Sequence, residues 1–260
     1  MKKIPPRISQ PIYPIELPGG PRGVLLLHGF TATPESFHFL AERLHKEKFS
    51  VLAPLLSGHG THVKDLESTS WQDWYRSVEE AYFKLKSRCG EVCVVGLSMG
   101  GLLALHLAHH HRNIKALGLL ATPVFLDSWL IRVLFPLIWK TPLKYLYRFQ
   151  KKHTVSIKDP VAGRRHQTYE KIPVVSVANL LDLQKKVRRE LHLIHQPTLI
   201  AHAIDDETVP YGNLDYIRAC IGSEDVETLT LRRSNHIITV DYDREIVAKR
   251  VVKFFKKYSK

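Results

Sequence analysis

The 260-residue sequence predicts an α/β fold: a mostly parallel central sheet, helices on both faces, and a small helical insertion forming a cap. Three observations predict it. Short continuous apolar runs alternate with longer stretches of helical spacing from about residue 22 onward. That alternation breaks once, between about residues 122 and 190, and then resumes. A serine set between glycines, Ser98, follows directly on a run that reads as a strand.

The elements follow in order. Residues 24–27 are a continuous apolar run before Gly29, the pattern of a buried strand. Residues 34–48 have helical spacing, and Pro34 suits a first helical turn. Ser50–Ala53 is a second strand stopped by Pro54, and residues 55–70 read as a loop containing Gly58-His59-Gly60. Trp71–Lys86 is an amphipathic helix, 92–97 a strand, 99–111 a helix and 114–120 a strand. After the break come the strand Thr198–Ala203, a helix over 211–221, the strand Val226–Leu231 and a closing helix, Arg244–Tyr258. Strands alternating with helices imply parallel βαβ units with right-handed crossovers. Ligands in such sheets bind outside the carboxyl ends of the strands.

The core is thus expected over 1–121 and 191–260, with 122–190 as a cap or lid. That stretch is rich in Leu, Trp, Tyr, Lys and Arg, and Pro136, Pro142, Pro160 and Pro173 divide it into short, mostly helical pieces. Connections this long in compact domains usually cover a binding site.

Composition narrows the class. Hydrophobic residues make up 44% and charged residues 24%, enough for a full core without staples. Three cysteines, Cys89, Cys93 and Cys220, are too few and too irregular for a disulfide framework or a zinc site. The net charge of +13 is spread along the chain without a nucleic-acid motif, so a solvated basic surface is expected and nucleic acid is not a partner. Met-Lys-Lys followed by Ile4-Pro5-Pro6 lacks the apolar core of a secretory signal, and the longest apolar segment is broken by Asp127, Arg132 and Pro136. A cytoplasmic location is the expectation.

Residues 96–100 read Gly-Leu-Ser-Met-Gly, a G-x-S-x-G between an apolar strand and a helix-forming stretch. That setting holds a serine on a strained turn with its hydroxyl projecting from the sheet edge. The glycines give space, and the following helix directs its N-terminal N–H groups toward the site. Ser98 is the candidate nucleophile.

With this motif the sequence resembles the α/β-hydrolase family, and more closely small bacterial carboxylesterases and monoacylglycerol lipases. The resemblance rests on Leu27-His28-Gly29-Phe30-Thr31, Gly58-His59-Gly60, the helix start at Trp71 and Trp74, Gly96 to Gly101, Asp206 to Pro210, and Ser234 to Asp241. It spans residues 24–241 and is weak over 122–190. It implies the α/β-hydrolase fold and a serine hydrolase acting on carboxylic esters, with a small-molecule ester as partner and no cofactor or metal. The same fold serves thioesterases, amidases, lactonases and carbon–carbon bond hydrolases, and some members only bind ligands.

The resemblance also implies the remaining site residues. The family orders its triad Ser, acid, His. His236 lies in a segment, Ser234 to Thr239, like the family's histidine loop, so it is the expected base. His202, inside a strand, reads as a satisfied core histidine. The family's Asp-x-x-x-Pro pattern fits Asp206 to Pro210, which favours Asp206 over Asp205 as the acid. The oxyanion donors are expected from the backbone N–H groups of Phe30 and Met99. Phe30, Phe125 and Trp129 are candidates for the acyl pocket, within an apolar run that continues through Leu130, Leu134, Phe135, Leu137, Ile138 and Trp139. Arg132, Lys140, Lys144 and Arg148 would suit peripheral contact with an anionic membrane, although such basic stretches are often only solvated faces.

Overall fold

A computed structural model describes residues 11–126, 141, 148–151 and 156–259. Among the described residues nine strands are numbered in chain order: β1 (Ile15–Leu17), β2 (Arg22–Leu27), β3 (Ser50–Ala53), β4 (Glu91–Leu97), β5 (Leu117–Leu120), β6 (Phe149–Lys151), β7 (Lys171–Pro173), β8 (Thr198–Ala203) and β9 (Val226–Leu231). The helices are α1 (His38–Lys46), α2 (Val63–Glu67), α3 (Trp71–Lys86), α4 (Met99–His110), α5 (Pro160–Arg165), α6 (Val174–Glu190), α7 (Gly212–Cys220) and α8 (Arg244–Tyr258).

Seven strands form one sheet in the order β1-β3-β2-β4-β5-β8-β9, and every pairing is parallel except β1 with β3. The interior strands are apolar on both faces because both faces are covered: Val24 to Leu27 of β2 and Val92 to Val95 of β4 are fully or almost fully buried. One face packs Leu40, Leu44, Val251, Phe254 and Phe255 of α1 and α8 against Val24, Leu26 and Val95. The other packs Trp74 and Val78 of α3, Leu102 to Leu107 of α4, and Leu183 and Val187 of α6 against Leu25, Val94 and Leu119. Helices α1, α3 and α8 thus each place an apolar stripe on the sheet, whereas α4 is buried on all sides from Met99 to Ala108. Helix α3 starts where it does because Ser70 and Asp73 form a reciprocal capping box, a feature worth about 1 kcal/mol.

The strands end on one side with the residues of interest. His28-Gly29-Phe30 follows β2, Ser98 follows β4, Asp206 follows β8, and His236 follows β9. The expected α/β architecture is present: a mostly parallel sheet with helices on both faces.

Several elements differ from the sequence reading. Strand β1 was not anticipated; three residues offer no periodicity, and β1 is held by antiparallel pairing to β3. Residues 34–37 form a 3-10 turn before α1 proper. The stretch read as a loop over 55–70 contains α2, capped reciprocally by His62 and Asp65. The described part of 122–190 holds the antiparallel pair β6–β7 as well as helices. Helix α6 anchors this stretch to the body, through Leu183 and Val187 in the core and Gln184 donating to the Pro123 carbonyl at 2.6 Å. Among the described residues, no helix is long and apolar enough to cross a membrane.

Candidate active site

Ser98 sits at φ 55°, ψ −123°, a conformation that non-glycine residues avoid. Such strain, about 1–3 kcal/mol, persists only where the surroundings over-determine it. Here the Ser98 N–H donates to Leu120 O at 2.8 Å, and the Ser98 carbonyl accepts the Gly101 N–H at 2.8 Å. The turn tolerates no side chains beside it. A Cβ at Gly96 would fall 2.1 Å from Gly100 O, and one at Gly100 would fall 1.9 Å from Leu27 O.

The Ser98 Oγ–H donates to His236 Nε2 at 2.9 Å, and His236 Nδ1–H donates to Asp206 Oδ2 at 2.8 Å. An ionised carboxylate only accepts, so the proton of the neutral ring belongs on Nδ1, and Nε2 offers its lone pair to the hydroxyl. All three side chains named from the sequence therefore meet. Ser98 is half-buried, His236 nearly covered, and the Asp206 side chain fully enclosed.

Asp206 is held by its own turn. Its Oδ1 accepts the N–H groups of Thr208 and Val209, each at 2.8 Å. Burial pushes its carboxyl pKa up, but hydrogen bonds from His202 and His236 outweigh this and hold it well below the usual carboxylate range. Asp205 points elsewhere, to an exposed ion pair with Lys158 at 2.8 Å.

Three residues near the site were not given roles from the sequence. The first is His202, whose Nε2 lies 3.2 Å from Asp206 Oδ2; it is buried like a core residue but faces the acid. The second is Asn235, whose Oδ1 accepts the His236 and Glu207 N–H groups while its amide donates to Glu207 Oε2, joining the two loops. The third is Asp241, fully buried, which accepts the N–H groups of Lys158, Asp159, Asn235 and Tyr242 at 2.8–2.9 Å. Asn235 and Asp241 had a visible signal, their place within the Ser234 to Asp241 segment that resembles the family.

The loop after β2 runs against the nucleophile; a Cβ at Gly29 would touch Ser98 Cβ at 3.2 Å. His28 fixes this loop, with Nδ1–H donating to Gly29 O at 3.0 Å and Nε2 accepting the Leu56 N–H at 3.2 Å. Burial pulls the His28 pKa down to about 3, helped by the neighbouring His59, and burial pulls His59 down to about 4. Both rings are neutral near pH 7. The Phe30 ring packs on Trp74 and His59, and Met99 opens α4. Thr168, from the stretch after β5, donates its hydroxyl to Thr31 O at 3.0 Å, so this stretch reaches the same loop. Phe125 packs on Tyr216, and its N–H donates to Asn213 Oδ1 at 2.8 Å. Trp129 lies outside the described residues.

One group among the described residues has metal-ligand chemistry: His106, His110 and Glu190, with donor atoms within 4.8 Å of one another. His106 Nδ1 bonds Glu190 Oε2 at 2.7 Å, and Lys186 pairs with the same carboxylate. This group ties α4 to α6 at the end of α4 remote from Ser98.

Comparison with known proteins is consistent with this geometry. The chain is 39% identical over 251 residues to a thermostable monoacylglycerol lipase of Bacillus sp. (strain H-257), covering 96% of each. It is 28% identical over 245 residues to a carboxylesterase of Bacillus subtilis (strain 168), covering 94% of this chain and 96% of that one. A solved structure from work on LipS and LipT, two metagenome-derived lipolytic enzymes, superposes with a TM-score of 0.88 at 27% identity, covering 95% of this chain and 98% of that one. A family model described as serine aminopeptidase, S33, matches residues 21–243, and the chain belongs to that family, Hydrolase_4.

Proposed function

We propose that this protein is a serine carboxylic-ester hydrolase of carboxylesterase or monoacylglycerol lipase type, taking esters with an apolar acyl chain. It is an ester hydrolase by its near-full-length similarity to proteins of those names. The single observation that carries the mechanism is the continuous hydrogen-bond chain Ser98–His236–Asp206.

The reaction follows from that chain. His236 Nε2 takes the Ser98 proton as Oγ attacks the ester carbonyl, and the resulting imidazolium gives the proton to the departing alcohol. The backbone N–H groups of Phe30 and Met99 receive the tetrahedral oxyanion, with the positive end of α4 adding to their effect. His236 then activates a water that hydrolyses the acyl-enzyme. Asp206, kept ionised by its hydrogen bonds, fixes the imidazole tautomer and stabilises the imidazolium. None of these steps calls on a group from outside the chain except substrate and water.

In this reading residues 122–190 form the cap, anchored by α6 and reaching the loop after β2 through Thr168. Phe30, Phe125 and Trp129 are assigned to the acyl pocket. A cytoplasmic location suits three cysteines that are all free. Peripheral membrane contact is assigned to the basic face of Arg132, Lys140, Lys144 and Arg148; of these four, Arg148 lies among the described residues, where it pairs with Glu67.

A substrate panel tests the assignment. Hydrolysis of esters with two to sixteen acyl carbons, monoacylglycerol, an acyl-CoA thioester and an aminoacyl amide should give the highest kcat/KM on an ester. Monoacylglycerol or a medium-chain ester should exceed the amide by at least about a hundredfold. Preference for the amide, the bond implied by the family's description, would overturn the ester reading. Preference for the thioester would move the enzyme to that class of acyl transfer.

A further inference from the structure

We propose that His202 is a positioning residue of this site: its Nε2–H supplies the fourth hydrogen bond to the Asp206 carboxylate and thereby tunes the acid that orients His236. The inference rests on the triad reading given above.

The observation is a saturated carboxylate. Two carboxylate oxygens offer about four acceptor positions. Thr208 N–H and Val209 N–H fill Oδ1, His236 Nδ1–H bonds Oδ2, and His202 Nε2 stands 3.2 Å from the same Oδ2 in the remaining position. The His202 nitrogen lies 3.1 Å from the Val209 carbonyl and 3.2 Å from Asp206 Oδ2. Both partners are acceptors, so Nε2 must hold a proton and share it between them. One imidazole thus grips the turn 206–209 from the strand beneath it, at the acid and at the residue whose own N–H binds that acid.

The surroundings make this bond consequential. The His202 and Asp206 side chains are 1% and 0% exposed, so bulk solvent does not reach the pair. An unpaired lone pair there would be left desolvated. The titratable groups facing Asp206 are His202, on β8, and His236, on the loop after β9. Asp205 turns outward to Lys158, Glu207 is held by Asn235, and Tyr211 packs its ring edge against His202. Each donor to Oδ2 draws charge from that oxygen. Without His202, more charge bears on the imidazolium that forms at His236, while the carboxylate loses a restraint on its rotation. The first effect moves the acid limb of the pH profile; the second lowers turnover.

The experiment compares His202→Gln, which keeps a side-chain N–H donor, with His202→Leu and His202→Ala, which remove it. A fluorophosphonate first titrates competent sites, so kcat is expressed per labelled serine. We expect His202→Leu and His202→Ala to lose about tenfold in kcat with KM within about twofold. Their acid limb of kcat/KM should move to higher pH by about half a unit. His202→Gln should restore both to near wild type. Donor-less variants with unchanged kcat per labelled site and an unchanged acid limb would reduce His202 to a packing residue and overturn the proposal. So would a His202→Gln variant as impaired as His202→Leu. Failure of wild type to label would sink the triad reading itself, whereas labelled wild type with indifferent His202 variants would sink this inference alone.

Discussion

Ser98 and His236 stand 138 residues apart in the chain, yet Ser98 Oγ–H donates to His236 Nε2 at 2.9 Å. The contact exists because the sheet places the ends of β4 and β9 on one side and loop hydrogen bonds fix the histidine there. His236→Ala should therefore lower kcat by roughly 10⁵-fold, with the thermal midpoint nearly unchanged. Steady-state kinetics beside a melting curve checks both. A loss below about tenfold would assign the base to another residue.

The neighbouring aspartates should behave oppositely. Asp206→Asn keeps the size but not the charge, and an amide can favour the wrong imidazole tautomer, so kcat should fall by about 10³–10⁴-fold. Asp205→Asn breaks an exposed pair with Lys158, and such pairs are worth little, so activity should stay within about twofold. Parallel kinetics of the two variants decides it; the reverse ranking would show the acid to be misassigned.

The glycines at the turn should be intolerant where backbone lies opposite. Gly100→Ala puts a methyl 1.9 Å from Leu27 O, which cannot move without breaking β2, so a loss of about 3 kcal/mol or more is expected. Gly163→Ala in α5 meets nothing within 4 Å and should be neutral or stabilising by up to about 1 kcal/mol. Urea unfolding of both variants measures the contrast.

Acid should destabilise the fold through two histidines that the folded state keeps neutral. The His28 and His59 values, about 3 and 4, lie below the unfolded value of about 6.5. Below that value the unfolded chain binds protons that the folded chain refuses. The stabilisation is therefore full above about pH 6.5 and declines as pH falls toward the folded values. Between pH 7 and 5 each histidine should account for about 2 kcal/mol. His59→Gln should flatten the slope of stability against pH in that window, as read by chemical unfolding at several pH values. An unchanged slope would contradict the assignment.

What could be read from the sequence followed from how local its cause is. Ser98 was legible because strand, turn and helix are contiguous around it, and the glycines that make room for it are within two residues. Asp206 and His236 needed a register borrowed from a family resemblance, since nothing near them in sequence says they meet. His202 was legible as a buried, satisfied strand histidine, but its approach to Asp206 was not, because that depends on how the loop 204–206 turns back. Asp241 could not be assigned for a similar reason: its four donors come from 158, 159, 235 and 242, which only the folded chain brings together. Strand β1 left no pattern because three residues paired at an edge carry no period. The pair β6–β7 was hidden in a stretch whose Leu, Lys and Arg content favours helix, and its pairing joins residues some twenty positions apart.

The most direct measurement is covalent labelling with a fluorophosphonate, followed by peptide mass spectrometry. The account predicts one adduct per chain, on Ser98, formed in parallel with loss of esterase activity and absent from Ser98→Ala. Full ester turnover by Ser98→Ala, or an adduct on another residue that accompanies inactivation, would contradict it.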